Sequence, residues 1–596
     1  MKENVALKAG NLDLRYQEGF IRYVRLGNLE VIRMINHAVR DHNWGTIPMK
    51  IRDEKVEVEP HSFHISYLAS FLKGDIDFEL NCEISGNEDG TLDFVYDGLA
   101  KKDFRKNRIG FTVLHPIQSC QGKKVRIVHP DGKASEGRFP VDISPHQPFF
   151  DIKEMHWKLT DGVDVSLVFE GDVFETEDQR NWTDASYKTY CTPLGKPYPV
   201  TLKKGDRIQQ KAHLRVDAAG TSLKASEEHP IQIYLQGQKL GRPEFGIELK
   251  SGTDRALILQ ALQELSPDFW RISLELDDDI GPALELLKEV QRTETAVELC
   301  VFSDRQHPGS DLEELKSYFG SVKRMMLFGD SHKTTPTSWI KAISKLRKSF
   351  PKISIIGGTD AFFTELNRDP VDASDLDGVT YSINPQVHAF DDASLIETLE
   401  AQAYTVHSAK KLFPAKKIIV SPVTFHMRWN PNATEAGKKL RQPTGWKDPR
   451  QFSFFGACWF LISLKYLSES GAHSVTYFEL TGDSGWLKSK GSDILKSPIY
   501  GLREEIKSFS QVINTTSNQP FLVDSIGFKN ADESALLVVN WTDMKQTVSV
   551  PKEFAALRVC QKWDTEFGKF DWEEMKGLQN LEFDELMPKS LTWFGG

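Results

Sequence analysis

The sequence is poor in cysteine, and its cysteines are not arranged for pairing or for metal binding. Only six cysteines occur among the 596 residues, and no two of them form a CxxC pair. Scattered thiols of this kind are typical of a reducing compartment, where most cysteines are small buried side chains. We therefore expect neither a disulfide framework nor a zinc site built from thiolates.

The sequence also lacks long apolar runs. No stretch approaches the roughly 20 consecutive apolar residues that a membrane-spanning helix requires. The first residues, MKENVALKAGNLDLRY, contain neither the apolar segment nor the small-residue cleavage site of a secretory signal. We therefore expect a cytoplasmic protein with no membrane partner.

An excess of positive charge is absent as well. The formal net charge is −10 and the sequence pI is about 5.9, which argues against nucleic acid as a partner because phosphate binding needs a basic surface. With 40% hydrophobic and 27% charged residues, the composition is that of an ordinary globular protein. The length suggests about three to four domains.

Short alternating runs of apolar and polar residues dominate the first part of the chain. Examples are FIRYVRLG, FHISYLAS, TLDFVYDG and VSLVFEG, each followed closely by a turn-forming residue. This pattern predicts an N-terminal β-sandwich over residues 1–240.

From about residue 245 the pattern changes to short β-branched runs that alternate with amphipathic helical segments. Eight such runs predict a central (β/α)8 TIM-type barrel over residues 241–517, with a doubly wound open sheet as the alternative. The predicted strands are FGIELK (245–250), FWRISLEL (269–276), TAVELCVF (295–302), VKRMMLFG (322–329), KISIIGGT (352–359), GVTYSINP (378–385), KKIIVSPVTF (416–425) and HSVTYFEL (473–480). Strand-like runs then return, which predicts a small C-terminal β-sandwich domain over residues 518–596.

In a barrel of this type the active site lies at the C-terminal ends of the strands, so polar residues there are candidates. Aspartates after strands two to four are more typical of helix caps than of catalysis. The stronger candidates lie at the C-terminal ends of strands five to eight or in the loops that follow, and are Asp360, Glu365, Asn367, Asn384, His388, Arg428 and Glu479.

Two of these candidates are carboxylates on strands that face each other across the barrel mouth. Glu479 lies inside the apolar run VTYFELTG, and Glu365 follows strand five beside two phenylalanines. A facing pair of carboxylates can take a proton from water and deliver one to a leaving oxygen. In the large superfamily of barrel glycosidases the pair follows strands four and seven, and neither of those strands ends in glutamate in this sequence.

The whole chain resembles the D-apionate lactonase family. The stretches that carry the resemblance are RDHNWGTIP (40–48), DFRKNRIGFTVLHP (103–116), ISPHQPFFDI (143–152), EDQRNWTDASYKTYCTPL (177–194), GTDAFFTELNR (358–368), YSINPQVHAFDD (381–392), VSPVTF (420–425), DPRQFSFFGACW (448–459) and SVTYFELTG (474–482). The resemblance implies an enzyme that opens D-apionolactone without an organic cofactor, in the breakdown of apiose.

The segment 177–190 is unusually dense in polar and aromatic residues and lies in the predicted sandwich. It is either a wall over the barrel mouth or a hydrogen-bonded loop that joins two domains. As a wall, it would bring Arg180 or Lys188 to the developing carboxylate and Trp182 to the sugar-derived ring.

The sequence thus predicts a lactone hydrolase in which Glu365 or Glu479 activates water. Asn384, His388 and Arg428 are the expected oxyanion donors, and His388 or the second carboxylic acid would protonate the ring oxygen. The alternatives are a glycoside hydrolase with the same carboxylate pair and a non-catalytic carbohydrate-binding barrel.

We expect no cofactor and no metal. A metal-dependent lactonase is the alternative, with Asp360, His388 and Glu479 as ligands, but no HxH or HxxxH spacing supports it. The expected partner is a small sugar lactone.

Overall fold

A computed structural model describes the chain over residues 5–218, 230–306, 308–432, 441, 445, 447–482, 485–490, 493–564, 569–574 and 584–595. These residues divide into two units. The first contains residues 5–180, 185–218 and 432, and the second contains residues 181–184, 230–431 and the later described residues.

The first unit is built almost entirely from β-strands. Its elements are β1 (Val5–Ala9), β2 (Leu12–Gln17), β3 (Phe20–Leu26), β4 (Leu29–Asp41), β5 (Met49–Val58), β6 (Phe63–Lys73), β7 (Ile76–Gly86), β8 (Thr91–Ala100), β9 (Phe104–Pro116), the short helix α1 (Ile117–Cys120), β10 (Lys124–Val128), β11 (Ala134–Arg138), β12 (Phe149–Ile152), β13 (Glu154–Thr160), β14 (Val163–Glu170), β15 (Phe174–Asp178), β16 (Ser186–Tyr190), β17 (Val200–Leu202) and β18 (Arg207–Asp217).

Within the described residues these strands form two sheets of nine strands. One has the order β1-β2-β3-β4-β9-β16-β15-β12, with β17 also paired to β9, and the other has the order β11-β10-β13-β14-β18-β8-β7-β6-β5. The sheets pack face to face through aromatic side chains. The ring centres of Phe94 in β8 and Phe111 in β9 are 5.0 Å apart, and His37 of β4 hydrogen-bonds Tyr67 of β6 at 3.1 Å. The predicted N-terminal β-sandwich is confirmed.

After residues 181–184, the second unit continues with β19 (Ile231–Gly241) and then with alternating strands and helices. The barrel strands are β20 (Glu244–Leu249), β21 (Phe269–Glu275), β22 (Ala296–Phe302), β23 (Val322–Phe328), β24 (Ser354–Phe362), β25 (Gly378–Ile383), β26 (Lys417–Val423) and β27 (Ser474–Thr481). The helices are α2 (Arg255–Leu265), α3 (Gly281–Gln291), α4 (Pro308–Glu314), α5 (Thr337–Ser349), α6 (Phe363–Arg368), α7 (Asp392–Leu412), α8 (Phe454–Glu469) and α9 (Pro498–Ile506).

The eight strands β20 to β27 of the described chain are parallel neighbours in sequence order, and β27 also pairs with β20. This last pairing closes the sheet, so the predicted (β/α)8 barrel is confirmed and the open sheet is excluded. Apolar side chains from successive strands fill part of the interior, among them Phe302, Met326 and Ile356. A short extension, β28 (Gly485–Lys490) and β29 (Asp493–Lys496), follows the last barrel strand.

The chain ends in a β-domain, as the sequence predicted. Its strands are β30 (Gln511–Ser517), β31 (Val523–Lys529), β32 (Ser534–Asn540), β33 (Gln546–Ser549), β34 (Ala555–Asp564), β35 (Lys569–Glu574), β36 (Asp584–Leu586) and β37 (Ser590–Gly595). The strand order over the described residues is β35-β34-β37-β32-β31-β30-β19-β33-β36.

Two strands of this C-terminal sheet lie outside the range 518–596 that the sequence predicted for it. They are β19, which falls almost entirely before residue 241, and β30, which ends at Ser517. Both belong to the sheet because β19 pairs with β30 and β30 pairs with β31, and Ile231, Ile233 and Ile513 are part of its apolar core.

No helix among the described residues is long and apolar enough to cross a membrane.

Candidate active site

The barrel strand that carries Asp360 is irregular at its C-terminal end. From Gly358 to Phe362, β24 advances by four residues. Over the same distance its neighbour β25 advances by only two, from Thr380 to Ser382. Gly358 makes this possible, because its φ is 141° and a Cβ there would collide with the Thr380 carbonyl oxygen. Asp360 thus lies within a bulged strand, not after it as predicted, and the bulge changes the direction of its side chain.

A second irregularity precedes Glu479 in β27. Gly246 of β20 lies opposite Thr476, whereas Glu248 lies opposite Glu479, so β27 contains one extra residue. Phe478 adopts a left-handed φ of 50°, which is strained for an aromatic residue. Strain and bulges of this kind are concentrated next to functional sites.

Glu479 is buried and forms an ion pair with Lys250, the residue that follows the first barrel strand. The carboxylate is 7% exposed, whereas the lysine is 59% exposed and reaches solvent. Gly482 packs against the same carboxylate, since a Cβ there would lie 2.8 Å from Glu479 Oε1.

Glu365 lies on the short helix α6 and has a lysine partner of its own. Its Oε2 is 3.4 Å from Lys333 Nζ, and the carboxylate is 5% exposed. Its other oxygen, Oε1, is buried and accepts no hydrogen bond from any described residue. A buried carboxylate oxygen without a donor is energetically costly, which makes it a natural acceptor for a water or a substrate hydroxyl.

The two glutamate–lysine pairs occupy opposite sides of the barrel mouth. Glu479 and Lys250 come from strands eight and one, and Lys333 and Glu365 follow strands four and five. In a closed ring of eight strands these two positions face each other. The strand order therefore places the Glu365 and Glu479 carboxylates on opposite sides of the mouth, and each carboxylate has a lysine partner.

Asp360 is surrounded by guanidinium groups. Its Oδ1 lies 2.9 Å from Arg271 Nη2 and 2.8 Å from Arg428 Nη2, and its Oδ2 lies 3.6 Å from Arg441 Nε. Burial raises the pKa of the Asp360 carboxyl, but the three guanidinium groups outweigh burial and hold that pKa below its ordinary value.

Arg441 extends this charged network across the mouth. Its guanidinium contacts Glu275 Oε2 at 3.0 Å and Asp330 Oδ1 at 2.7 Å, and it lies 3.4 Å from the centre of the Phe302 ring. Burial raises the pKa of Glu275, although Arg441 opposes that shift. The strand ends therefore carry both signs of charge close together, as the sequence indicated.

Asn384 is buried after the sixth strand, where its Oδ1 accepts a hydrogen bond from Gln386 N at 3.2 Å. Its amide nitrogen makes no hydrogen bond within the described part of the chain. His426, after the seventh strand, also has a buried nitrogen, Nε2, without a partner there, and burial lowers the pKa of this histidine. This part of the mouth can therefore hydrogen-bond a polar ligand.

Residues 181–184 belong to the barrel unit. Asp184 Oδ2 lies 2.7 Å from His388 Nδ1, and the Trp182 ring meets the His388 ring edge-on at 5.3 Å. Trp182 is buried, and the Arg368 guanidinium lies 5.1 Å from its ring centre. The expected stacking of Trp182 on a substrate ring has no support in this geometry, because histidine and arginine already contact the indole.

Asn367 is joined to the same segment of the barrel unit. Its Nδ2 donates a hydrogen bond to Asn181 Oδ1 at 2.9 Å, and both side chains are buried. Asn367, which was expected to bind substrate, therefore also holds helix α6 to residues 181–184.

Arg180 and Lys188 belong to the other unit. Arg180 is fully buried, with its guanidinium bound to Asp178 and to backbone carbonyls. Lys188 pairs with Glu177 at 2.5 Å. The expected binding of substrate by Arg180 has no support in these contacts, since each guanidinium nitrogen already donates within its own unit.

Several charged residues inside the barrel strands were missed at the level of sequence. Arg271 is buried inside β21 and bridges Asp360 to Glu248, whose Oε1 lies 2.5 Å from it. Nearer the N-terminal ends of the strands, Arg324 of β23 pairs with the fully buried Glu298 of β22 at 2.9 Å. Each interrupts an apolar run in the sequence, and a charge inside a buried strand is the signal that would have identified them.

Among the described residues, no three His, Cys, Asp or Glu side chains are placed to hold a metal ion together. The three residues considered as metal ligands each contact another partner. Asp360 contacts Arg428, His388 contacts Asp184, and Glu479 contacts Lys250.

Comparisons with known proteins identify relatives over nearly the whole chain. Residues 1–219 match the family model "D-apionate lactonase, N-terminal domain", and residues 246–513 match "D-apionate lactonase, TIM barrel domain". The D-apionate lactonase of Brucella anthropi is 30% identical over 578 residues, covering 91% of this chain and 93% of that protein. The chain belongs to the D-apionate lactonase family. Membership in the D-apionate lactonase family places it among lactone-hydrolysing enzymes.

Solved structures show only a loose likeness. The thermostable GH51 alpha-L-arabinofuranosidase from Thermotoga petrophila is 11% identical with a TM-score of 0.46, over 61% of this chain and 100% of that chain. An alpha-L-arabinofuranosidase from Thermotoga maritima is 12% identical with a TM-score of 0.47, over 61% and 99%. Nothing about function follows from scores this low.

Proposed function

We propose that this member of the D-apionate lactonase family hydrolyses D-apionolactone to D-apionate. The observation that carries the proposal is the pair of buried glutamates on opposite sides of the mouth, each with its own lysine. A small neutral lactone with several hydroxyls fits such a mouth, because carboxylates accept hydrogen bonds from hydroxyls and cations attract the carbonyl oxygen.

Glu365 is the general base in this proposal. Its buried Oε1 has no hydrogen-bond partner among the described residues, so a water can donate to it. The base takes a proton from this water, and the water oxygen attacks the lactone carbonyl carbon. Lys333, 3.4 Å from Oε2, balances the charge and orients the carboxylate.

The tetrahedral oxyanion is stabilised by donors at the ends of strands six and seven. The amide nitrogen of Asn384 is one donor, and Arg428, which is partly exposed beside Asp360, is another. Preorganised donors of this kind act on charge that develops only in the transition state. The ring carbon–oxygen bond then breaks, and the ring oxygen takes a proton to become the hydroxyl of the product.

Glu479 serves in binding. A carboxylate in an ion pair with Lys250 accepts hydrogen bonds and does not donate them, so it orients the hydroxyls of the lactone. Loss of this interaction is therefore expected to raise KM more than it lowers kcat.

The test is proton release in weak buffer from D-apionolactone and a panel of aldonolactones, with aryl glycosides in parallel. We expect Glu365→Gln to lower kcat by at least about 100-fold, the scale of a general base, and Glu479→Gln to act mainly on KM. Glu244→Gln is the matched control, since Glu244 pairs with Lys323 and Arg324 at the N-terminal end of β20, away from the mouth, and should leave turnover unchanged.

The same assay separates the alternatives. Cleavage of aryl glycosides without lactone turnover would select a glycoside hydrolase. Saturable binding of sugars or lactones without turnover of either would select a carbohydrate-binding barrel. Rapid lactone hydrolysis by Glu365→Gln would refute the assignment of the base.

A further inference from the structure

The segment Asn181–Asp184 contacts two elements of the barrel that carry proposed site residues. Asn181 binds Asn367 of α6, the helix that carries Glu365, and Asp184 binds His388 in the loop after β25. These four residues thus connect the ends of strands five and six.

The contact between Asp184 and His388 fixes the hydrogen-bonding role of the imidazole nitrogen Nδ1. An ionised carboxylate can only accept, so the Nδ1–H group of His388 donates a hydrogen bond to Asp184 Oδ2 over 2.7 Å. Proton exchange with any other group must then take place at Nε2. His388 is 17% exposed and Asp184 is 12% exposed, so the pair is largely shielded from water while the imidazole keeps some exposed surface.

Trp182 restricts the same imidazole from another direction. Its ring meets the His388 ring edge-on, with 5.3 Å between centres and an angle of 86°. Thr183, between Trp182 and Asp184, has a left-handed φ of 71°, and both of its neighbours contact His388. The backbone is therefore strained at the point where the segment holds one histidine.

We infer that Asp184 is a positioning residue for His388, and that His388 is the group that protonates the departing ring oxygen. The inference rests on the proposed lactone hydrolysis. As the ring carbon–oxygen bond breaks, its electron pair goes to the ring oxygen, which takes the proton from Nε2 of the imidazolium. Asp184 stabilises the imidazolium before this step, and the proton that Glu365 took from water restores it afterwards.

The experiment compares Asp184→Asn, Asp184→Glu, His388→Gln and the double variant Asp184→Asn/His388→Gln in the full chain. Asparagine keeps the size and an acceptor but loses the charge, so we expect kcat for D-apionolactone to fall at least about tenfold with KM and Tm nearly unchanged. Asp184→Glu should recover part of kcat. The double variant should be no slower than His388→Gln alone, because both changes remove one function.

Asp93→Asn is the matched control, since Asp93 Oδ1 pairs with His213 Nδ1 at 2.9 Å in the sandwich. It should keep full kcat. Full kcat in Asp184→Asn, or a double variant much slower than His388→Gln, would overturn the inference while wild-type lactone hydrolysis leaves the proposed function standing. Absence of lactone hydrolysis by the wild-type protein would instead refute the proposed function.

Discussion

Asp360 is a buried carboxylate whose ion-pair partners in the described chain are all arginines. It contacts Arg271, Arg428 and Arg441, which come from three different parts of the barrel sequence. Its removal would take the Asp360 carboxylate away from all three cations, although Arg271 would keep Glu248 and Arg441 would keep Glu275 and Asp330. The residue is therefore as important for assembling the barrel mouth as for binding a ligand.

We predict that Asp360→Asn lowers the free energy of unfolding by about 3–5 kcal/mol, the usual cost of breaking a buried ion pair from one side. Urea unfolding of both proteins measures this difference. Asp131→Asn is the control, because its pair with Lys133 is exposed and should change stability little. A loss no larger than that of the control would show that the arginine cluster does not depend on Asp360.

Some residues of the proposed site could be identified from sequence as candidates, and others could not. Glu479 interrupts an apolar run and Glu365 follows a strand, so local pattern identified both. The lysines that pair with them look like ordinary surface lysines until their partners are known. Asp184 could not be assigned to His388 because the two are 204 positions apart, and no local signal reports such a contact.

The barrel elements follow the sequence periodicity closely. Each of the eight predicted strands overlaps one of β20 to β27, and helices such as α5 and α7 lie where amphipathic segments were predicted. The strand bulges at Asp360 and before Glu479 were not predicted. A bulge depends on pairing with neighbouring strands, which alternation within a single strand does not reveal.

Helix α8 carries a carboxyl group whose protonation should control stability. Burial is the main reason that the pKa of Glu469 is raised from 4.5 to about 7, with opposition from Lys465 and from the Thr515 amide, 2.8 Å from Oε1. The raised pKa means that the folded state binds a proton more tightly than the unfolded chain does.

The stability that protonated Glu469 contributes should therefore be fully present below about pH 4.5 and be lost as the pH rises through about 7. We predict a decline of about 2–3 kcal/mol in the free energy of unfolding across that interval, because a tenfold difference in proton affinity corresponds to about 1.4 kcal/mol. Glu469→Gln should remove this decline. Parallel urea titrations at several pH values would contradict the prediction if both proteins showed the same pH dependence.

At the scale of the whole molecule, the barrel and the C-terminal sheet share one compact unit. Strands β19 and β30 pair with each other, and Gln236 of β19 hydrogen-bonds Thr516 of β30, 280 positions later in the chain. Lys465 of α8 reaches Asp524 of β31 at 2.5 Å, and both side chains are buried. Local composition does not reveal such a sheet, because its pairing is set by contacts between distant parts of the chain.

We predict that a chain ending after residue 517 does not fold cooperatively. The truncation removes β31 and β32, which would expose Ile231, Ile233 and Ile513 and leave Lys465 buried without its partner. Thermal unfolding followed by circular dichroism compares the truncated chain with the full chain. A sharp transition near the Tm of the full chain would show that the barrel is independent of the C-terminal sheet.

We propose that the barrel mouth hydrolyses a sugar-acid lactone with Glu365 as the base and with Glu479 in binding. The most direct measurement is the rate of proton release from D-apionolactone by wild type, Glu365→Gln and Glu244→Gln in the same buffer. We expect rapid release by wild type and Glu244→Gln, and release at least about 100-fold slower by Glu365→Gln. No release by wild type, or equal rates in all three proteins, would contradict it.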